Sequence, residues 1–245
     1  MDLTLTNKKA LVLASSTGLG FAIAKNLKQE GAKVAICSSD SGKLGRAASE
    51  IAADYSAICD LTEPHSAEKF VKDAAAAIGG LDIVVTNCGG PAKGYFLDIT
   101  QDSWREGFQS MWMSVVESLH VALPIMQKQK YGRVVMVTST AAKEPMPKLY
   151  LSNGFRSGLM GLMKSISNEF GEYGITANAV LPGFTDTERL KELGAVVDQV
   201  IKKVPVRRLG KPEELASLVS YLCSEKAGFI TGQAIGIDGG LIQGI

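Results

Sequence analysis

The sequence predicts one α/β domain over residues 1–245, a Rossmann-type, doubly wound parallel sheet with helices on both faces. Three observations predict it. Strand-like runs alternate with helix-like runs nearly from end to end. The strand-like runs are continuously apolar, the mark of strands buried on both sides. The first of them breaks into a glycine-bearing turn that opens a helix. At 245 residues the chain is long for one domain, yet within the range of a single α/β unit with a substantial core.

The elements follow in order. "KALVLAS" is an apolar run ending in small residues, and "GFAIAKNLKQEGA" has helical spacing with a glycine at its exit. "KVAICS" is the next strand. "EKFVKDAAAAIGG" reads as a helix, and "LDIVVTNCGG" as a strand running into a glycine turn. "DSWREGFQSMWMSVVESLHVALPIMQKQK" reads as one long helix, bent or shifted near Pro124. "GRVVMVTST" is a strand, "KLYLSNGFRSGLMGL" opens a helix through Phe170, and "ITANAVLPG" is a strand with a Pro-Gly stop. A flap over 184–205 follows, with Leu190, Leu193, Val196, Val197 and Val200 at near-helical spacing. A helix near "PEELASLVSYLCS" and a last strand in "GQAIGIDGG" complete the chain. No internal repeat or low-complexity run interrupts this order.

Composition excludes several classes of function. A net charge of +1 gives no general grip on nucleic acid or an anionic membrane. No apolar stretch approaches the roughly 20 residues needed to cross a bilayer. Cys37, Cys59, Cys88 and Cys223 have no metal-ligand spacing, so we expect free thiols, no metal and a cytoplasmic setting. His65 and His120 have no placement near a site and are expected at the surface or in structural roles.

Chemistry concentrates at the strand ends. In "ASSTGLG", Gly18 and Gly20 open the helix, so N–H groups and the positive helix end face an anion such as a diphosphate. Ala14 and Leu19 lie in the same turn, and Ser15, Ser16 and Thr17 add hydroxyl donors.

Here the chain resembles a short-chain dehydrogenase/reductase over essentially its full length, including 3-oxoacyl-(acyl-carrier-protein) reductase-like members. That family's turn reads T-G-x-x-x-G-x-G; Leu13 and Ala14 replace its first two residues, while Gly18 and Gly20 match. The resemblance implies that Asp60 and Leu61 of "CDLT" meet the adenine, and that Asn87, Cys88 and Gly89 of "TNCGG" line the cofactor. It also implies that Pro182, Gly183, Thr185 and Thr187 of "LPGFTDT" hold the nicotinamide amide. "RLGKPEELASLVSYLCSEKAGFITGQAIGIDGG" is close to the family's C-terminal pattern and implies a homotetramer.

The residue ending the second strand separates the two cofactor forms, because an acid there repels a 2′-phosphate. Ser38 and Ser39 stand at that place, with Asp40 one position late and Lys43 within reach. The missing acid favours NADP(H) over NAD(H).

The catalytic set departs furthest from the family. The resemblance expects an Asn, a Ser and a Tyr-x-x-x-Lys pair; this chain has Met111, Ser139, Ser152 and Arg156 at those positions. "LSNGFR" and "GGP" are similar to a divergent branch carrying L-S-N-x-x-R with G-G-P after the fourth strand. Ser152 and Arg156, four apart, share a helix face, so Ser139, Ser152 and Arg156 are the expected catalytic residues, with Arg156 also meeting the ribose and a nearby oxyanion. Tyr150 is displaced by about 200° on a helix and replaces the phenol only if the chain before Ser152 is loop. Lys143 and Lys148 in "AAKEPMPK" are further proton sources, or solvent-facing loop charges. Two readings stay open. One is an NAD(P)-dependent oxidoreductase acting on a small-molecule carbonyl or alcohol by a modified proton path. The other is a nicotinamide-binding module without turnover.

Overall fold

A computed structural model describes residues 2–191 and 196–244. Seven strands, β1 (Lys9–Val12), β2 (Lys33–Ser38), β3 (Tyr55–Ile58), β4 (Ile83–Thr86), β5 (Gly132–Val137), β6 (Ile175–Pro182) and β7 (Ala234–Ile237), form one sheet. Their order is β3-β2-β1-β4-β5-β6-β7, and every pairing is parallel. The order reverses between β1 and β4. The carboxyl ends of the two strands part there and leave a crevice for a ligand.

Burial follows from the strands' apolar continuity. Leu11 of β1 points into one core with α3 (Ser66–Ile78), α5 (Ser114–Gln129) and α6 (Tyr150–Phe170), through Phe70, Leu119 and Met163. Its neighbours Ala10 and Val12 point into a second core with α1 (Gly18–Gln29), α2 (Ser41–Ile51) and α9 (Pro212–Cys223), through Ile23, Leu44 and Val219. A sheet covered on both faces needs apolar side chains in both directions, which is why alternation is missing from its strands.

Two elements have weak sequence signals. Helix α2 carries Gly42 and Gly45, poor helix formers, and is started by Asp40, whose side chain accepts from Lys43 N at 2.8 Å. Strand β3 is a four-residue edge, half-exposed along its length.

The long helix expected over 102–130 differs in detail. It divides into α4 (Gln101–Phe108), a π-helical turn at Gln109–Met113, and α5. The irregularity therefore lies at Met111 and not at Pro124, which sits inside α5. Pro124 and His120 are both exposed, so the carbonyl that Pro124 cannot bond faces water and no break is required. Beyond β6, α7 (Glu188–Lys191) and α8 (Val196–Lys203) lie in the stretch expected to be a flap. Val200 is buried, Leu190 and Val197 are half-buried, and Leu193 lies outside the described residues, as does the side chain of Val196.

Candidate functional site

The turn between β1 and α1 is shaped by one strained residue and two contacts. Ala14 takes φ 45°, a left-handed conformation that costs a residue with a Cβ about 1–2 kcal/mol. Asn87, at the end of β4, donates from Nδ2 to Ala14 O at 3.0 Å and ties the turn across the sheet's switch point. Gly20 passes so close that an added Cβ would lie 2.5 Å from Ala14 O. Helix α1 has no side-chain cap and no acid in its first turn, so its leading N–H groups and positive end remain available to an anion. This cradle fits the diphosphate of a dinucleotide. Relieving its strain should be measurable. Ala14→Gly is expected to stabilise the fold by about 0.5–1 kcal/mol, the left-handed cost less glycine's added unfolded freedom, read from the urea midpoint.

The hydroxyls of the turn divide into inward and outward groups. Ser15 is fully buried and donates to Val12 O at 2.7 Å, so it fastens the strand end and does not face a ligand, contrary to the expectation for it. Ser16 donates to Ser38 Oγ at 2.8 Å, while Thr17 is exposed and makes no cap bond. Leu19 is half-buried behind the turn. Ser38 also accepts from Asp40 N at 3.2 Å and is buried; Ser39 is exposed.

Other expected cofactor residues gather along the same edge. Asp60 accepts from Thr62 N and Oγ1 through Oδ1, which fixes its carboxylate beside the buried Leu61. Gly89 is exposed with open space around it. Gly183 runs against the backbone of Asp238, where a Cβ would meet Asp238 Cα at 2.7 Å. The chain after Pro182 then returns over the glycine turn. Thr185 bridges to Gly210, and Thr187 shares a cavity with Ser16, Thr17 and Gly18.

At the ends of β4 and β5 stand the altered catalytic positions. Arg156 is buried. Its NH1 donates to Val137 O at 3.1 Å and to Thr138 O at 2.9 Å, and its NH2 to Cys88 Sγ at 3.7 Å. NH1 is thus committed to the backbone just before Ser139, and an oxyanion contact of the expected kind is left to the remaining donors of the fork. Ser139 accepts from Ala141 N at 3.1 Å, which leaves its hydroxyl proton free to donate. Ser152 is 6% exposed and makes no side-chain hydrogen bond among the described residues. Met111 fills the expected asparagine position and is buried inside the π turn.

Tyr150 is the first residue of α6, packs its ring 5.9 Å from Phe96 and stays partly exposed. The chain before Ser152 is therefore already helical at Tyr150, and the loop that would let it replace the phenol is not present. Lys143 and Lys148 are exposed, the latter with its ammonium 4.9 Å from the Tyr95 ring centre and φ 63°. His65, beside Glu68 at 3.3 Å, and His120 are at the surface.

One residue that sequence reasoning missed is Asn153. Its amide clamps the loop before α6, accepting from Met146 N at 3.1 Å and donating to Met146 O at 2.9 Å. A side-chain amide pairing both backbone groups of one residue leaves no trace in periodicity. Cys37, Cys59 and Cys223 are buried free thiols, and burial pushes the Cys223 thiol up to about 12. Cys88, half-buried against Arg156, is the exception. No metal-ligating cluster is found among the described residues, and no helix among them is long and apolar enough to cross a membrane.

Known proteins share this sequence and shape. A family profile described as enoyl-(acyl carrier protein) reductase matches residues 13–242. Dehydrogenase/reductase SDR family member 4 of Oryctolagus cuniculus is 35% identical over 244 residues, covering 96% of this chain and 94% of that protein. The 3-oxoacyl-[acyl-carrier-protein] reductase of Aquifex aeolicus is 31% identical over 247 residues, covering 98% of this chain and 100% of its own. L-sorbose reductase from Gluconobacter frateurii, solved with NADPH and L-sorbose, superimposes with a TM-score of 0.94 at 25% identity, covering 100% of both chains. On the parallel sheet, the glycine turn and these full-length likenesses, the chain belongs to the short-chain dehydrogenase/reductase family.

Proposed function

We propose that this NAD(P)-dependent oxidoreductase interconverts a carbonyl and a hydroxyl group by hydride transfer, with Ser139, Ser152 and Arg156 providing a modified proton path. The observation that carries the path is Ser152. Its hydroxyl has no protein partner among the described residues, is not sealed from solvent, and lies where the family places its acid. A bound nicotinamide would supply or accept the hydride.

The chain's own residues do the rest. Ser139, its oxygen already held by Ala141 N, donates to the substrate oxygen. Arg156 fixes the backbone at Val137 and Thr138 and so aims Ser139; its charge persists at every working pH, so it is not the acid. Ser152 is too weak an acid to act alone and passes a proton from water, with Lys143 and Lys148 at the solvent end. Asp60, Leu61, Asn87, Cys88, Gly89, Pro182, Gly183, Thr185 and Thr187 hold the dinucleotide along the strand ends, and the 184–205 flap closes over the substrate.

NADP(H) is the favoured cofactor. No acid ends β2, and both the L-sorbose reductase and an actinorhodin polyketide ketoreductase of similar fold were solved with NADPH. A homotetramer would cover Phe108 and Phe229, large apolar residues exposed on the single chain. Buried free thiols suit a reducing cytoplasm. The rival, a nicotinamide-binding module without turnover, draws support only from the changed catalytic positions.

Fluorescence titration with NADPH and with NADH tests the reading. Saturable NADPH binding, at least about tenfold tighter than NADH, followed by NADPH oxidation with a panel of ketones, is the expected result. Failure of both cofactors to bind at millimolar concentration would sink it.

A further inference from the structure

We infer that the cofactor's 2′-phosphate is read by Lys43 and Arg46 on helix α2, one and two turns beyond the strand end where the discriminating residue was expected. This rests on the NADP(H) reading above.

Of the two serines at the strand end, Ser38 is enclosed and the exposed Ser39 is uncharged. Ser38 is buried, and its Oγ accepts from both Ser16 Oγ and Asp40 N. Both bonds are accepted, so its proton is uncommitted, but a buried neutral hydroxyl brings no charge to a phosphate outside the fold. Asp40, the nearest acid, is occupied. Its Oδ1 caps α2 at Lys43 N, and that bond, against an opposing effect of burial and with help from the nearby Lys43 and Arg46 charges, holds its carboxyl below the usual range.

The groove beside the glycine turn tells where charge is available. A cavity of about 670 Å³ is lined by Ser16, Thr17 and Gly18 at its head and by Lys43 and Arg46 along one wall. Residues 43 and 46 are three apart and share a helix face, while Leu44 and Ala47 between and beyond them turn into the core. Neither Lys43 nor Arg46 has an ion-pair partner among the described residues. Lys25, further down the groove, is neutralised by Glu50 at 2.9 Å.

The cavity also touches acids: Glu50 lies on α2 itself but is paired with Lys25, and the sheet order separates the others from the basic wall. Asp186 and Glu188 follow β6, and Glu213 begins α9. Strand β2, which leads into α2, lies on the opposite side of β1 from β6. In a doubly wound sheet the adenosine half hangs over the β2 side of the switch point. Its 2′-oxygen therefore faces the basic wall and not the acidic one. Arg46 matches a phosphate with its fork of donors, and Lys43 adds a point charge beside the helix's own positive end.

The test is a set of NADPH and NADH titrations on the purified protein and on Lys43→Glu, Arg46→Glu, the double variant and Lys25→Gln. Both substituted residues are exposed, so folding is checked by thermal unfolding and expected to persist. The double variant should lose at least about tenfold in NADPH-over-NADH selectivity, the scale of charge-assisted bonds to a phosphate, and Lys25→Gln should change it less than about twofold. Unchanged selectivity in the double variant, with the wild type still preferring NADPH, would overturn this inference alone and leave the cofactor reading intact. An equal loss in Lys25→Gln would overturn it too, because the effect would then be one of net charge. A wild type without preference would remove both.

Discussion

Arg156→Leu should abolish NADPH oxidation with any carbonyl compound that the unaltered protein reduces, and should lower stability by about 2–3 kcal/mol. The two effects have one origin. Leucine removes the NH1 donor from Val137 O and Thr138 O, two carbonyls at the buried end of β5, and leaves them short of a partner. It also frees the backbone that leads directly into Ser139. Arg156→Lys separates structure from chemistry. Lysine keeps the charge but cannot span two carbonyls and the Cys88 sulfur with a planar fork. The lysine variant should recover most of the lost stability and only part of the rate, with the deficit in kcat and not in NADPH binding. Full activity in Arg156→Leu would take Arg156 out of the working site altogether.

The same arginine illustrates how far the sequence could be read. Its place in the family pattern was legible from the ungapped run "SGLMGLMKSISNEFGEYGITANAVLPG", and so was its helix face with Ser152. What its guanidinium would bond was not, because those carbonyls come from a strand 18 and 19 residues away. The strands and most helices were legible for a plain reason: burial on both faces demands continuous apolar runs. Helix α2 was hidden by Gly42 and Gly45, and its stability comes from the Asp40 cap and from Leu44 and Ile51 in the core. The π turn at Met111 was displaced in the reading to Pro124, since proline is a visible helix breaker whereas a π turn has no composition of its own. Ser15 and Ser38 were counted as ligand-facing by position. Ser15 donates to Val12 O and accepts from Cys37 N, and Ser38 is buried where it accepts from Ser16 Oγ, a distinction that only the geometry of neighbouring strand ends makes.

Gly20→Ala should be the most damaging single methyl in the molecule for cofactor binding. The added carbon would lie 2.5 Å from Ala14 O, 2.7 Å from Asn87 Nδ2 and 3.0 Å from Ser15 Cα. Two of those atoms are backbone and the third is the amide that ties β4 to the turn, so no flexible side-chain end can yield. The turn must open. As it does, the bond from Asn87 to Ala14 O lengthens and the leading N–H groups of α1 swing off the diphosphate position. Overpacking of this kind costs about 1–3 kcal/mol, which in a chain of this size lowers the melting temperature by roughly 2–4 °C per kcal/mol. NADPH affinity should fall about a hundredfold, because the diphosphate is held by N–H groups that act only when convergent. Gly45→Ala is the matched control: it sits inside α2 with nothing within 4 Å, so the same methyl should stabilise the helix by about 0.5–1 kcal/mol. Thermal unfolding and NADPH titration on the pair distinguish a general intolerance of added volume from a cradle built around one missing Cβ. If Gly20→Ala bound NADPH as tightly as the unaltered chain, the diphosphate would have to lie elsewhere than on the first turn of α1.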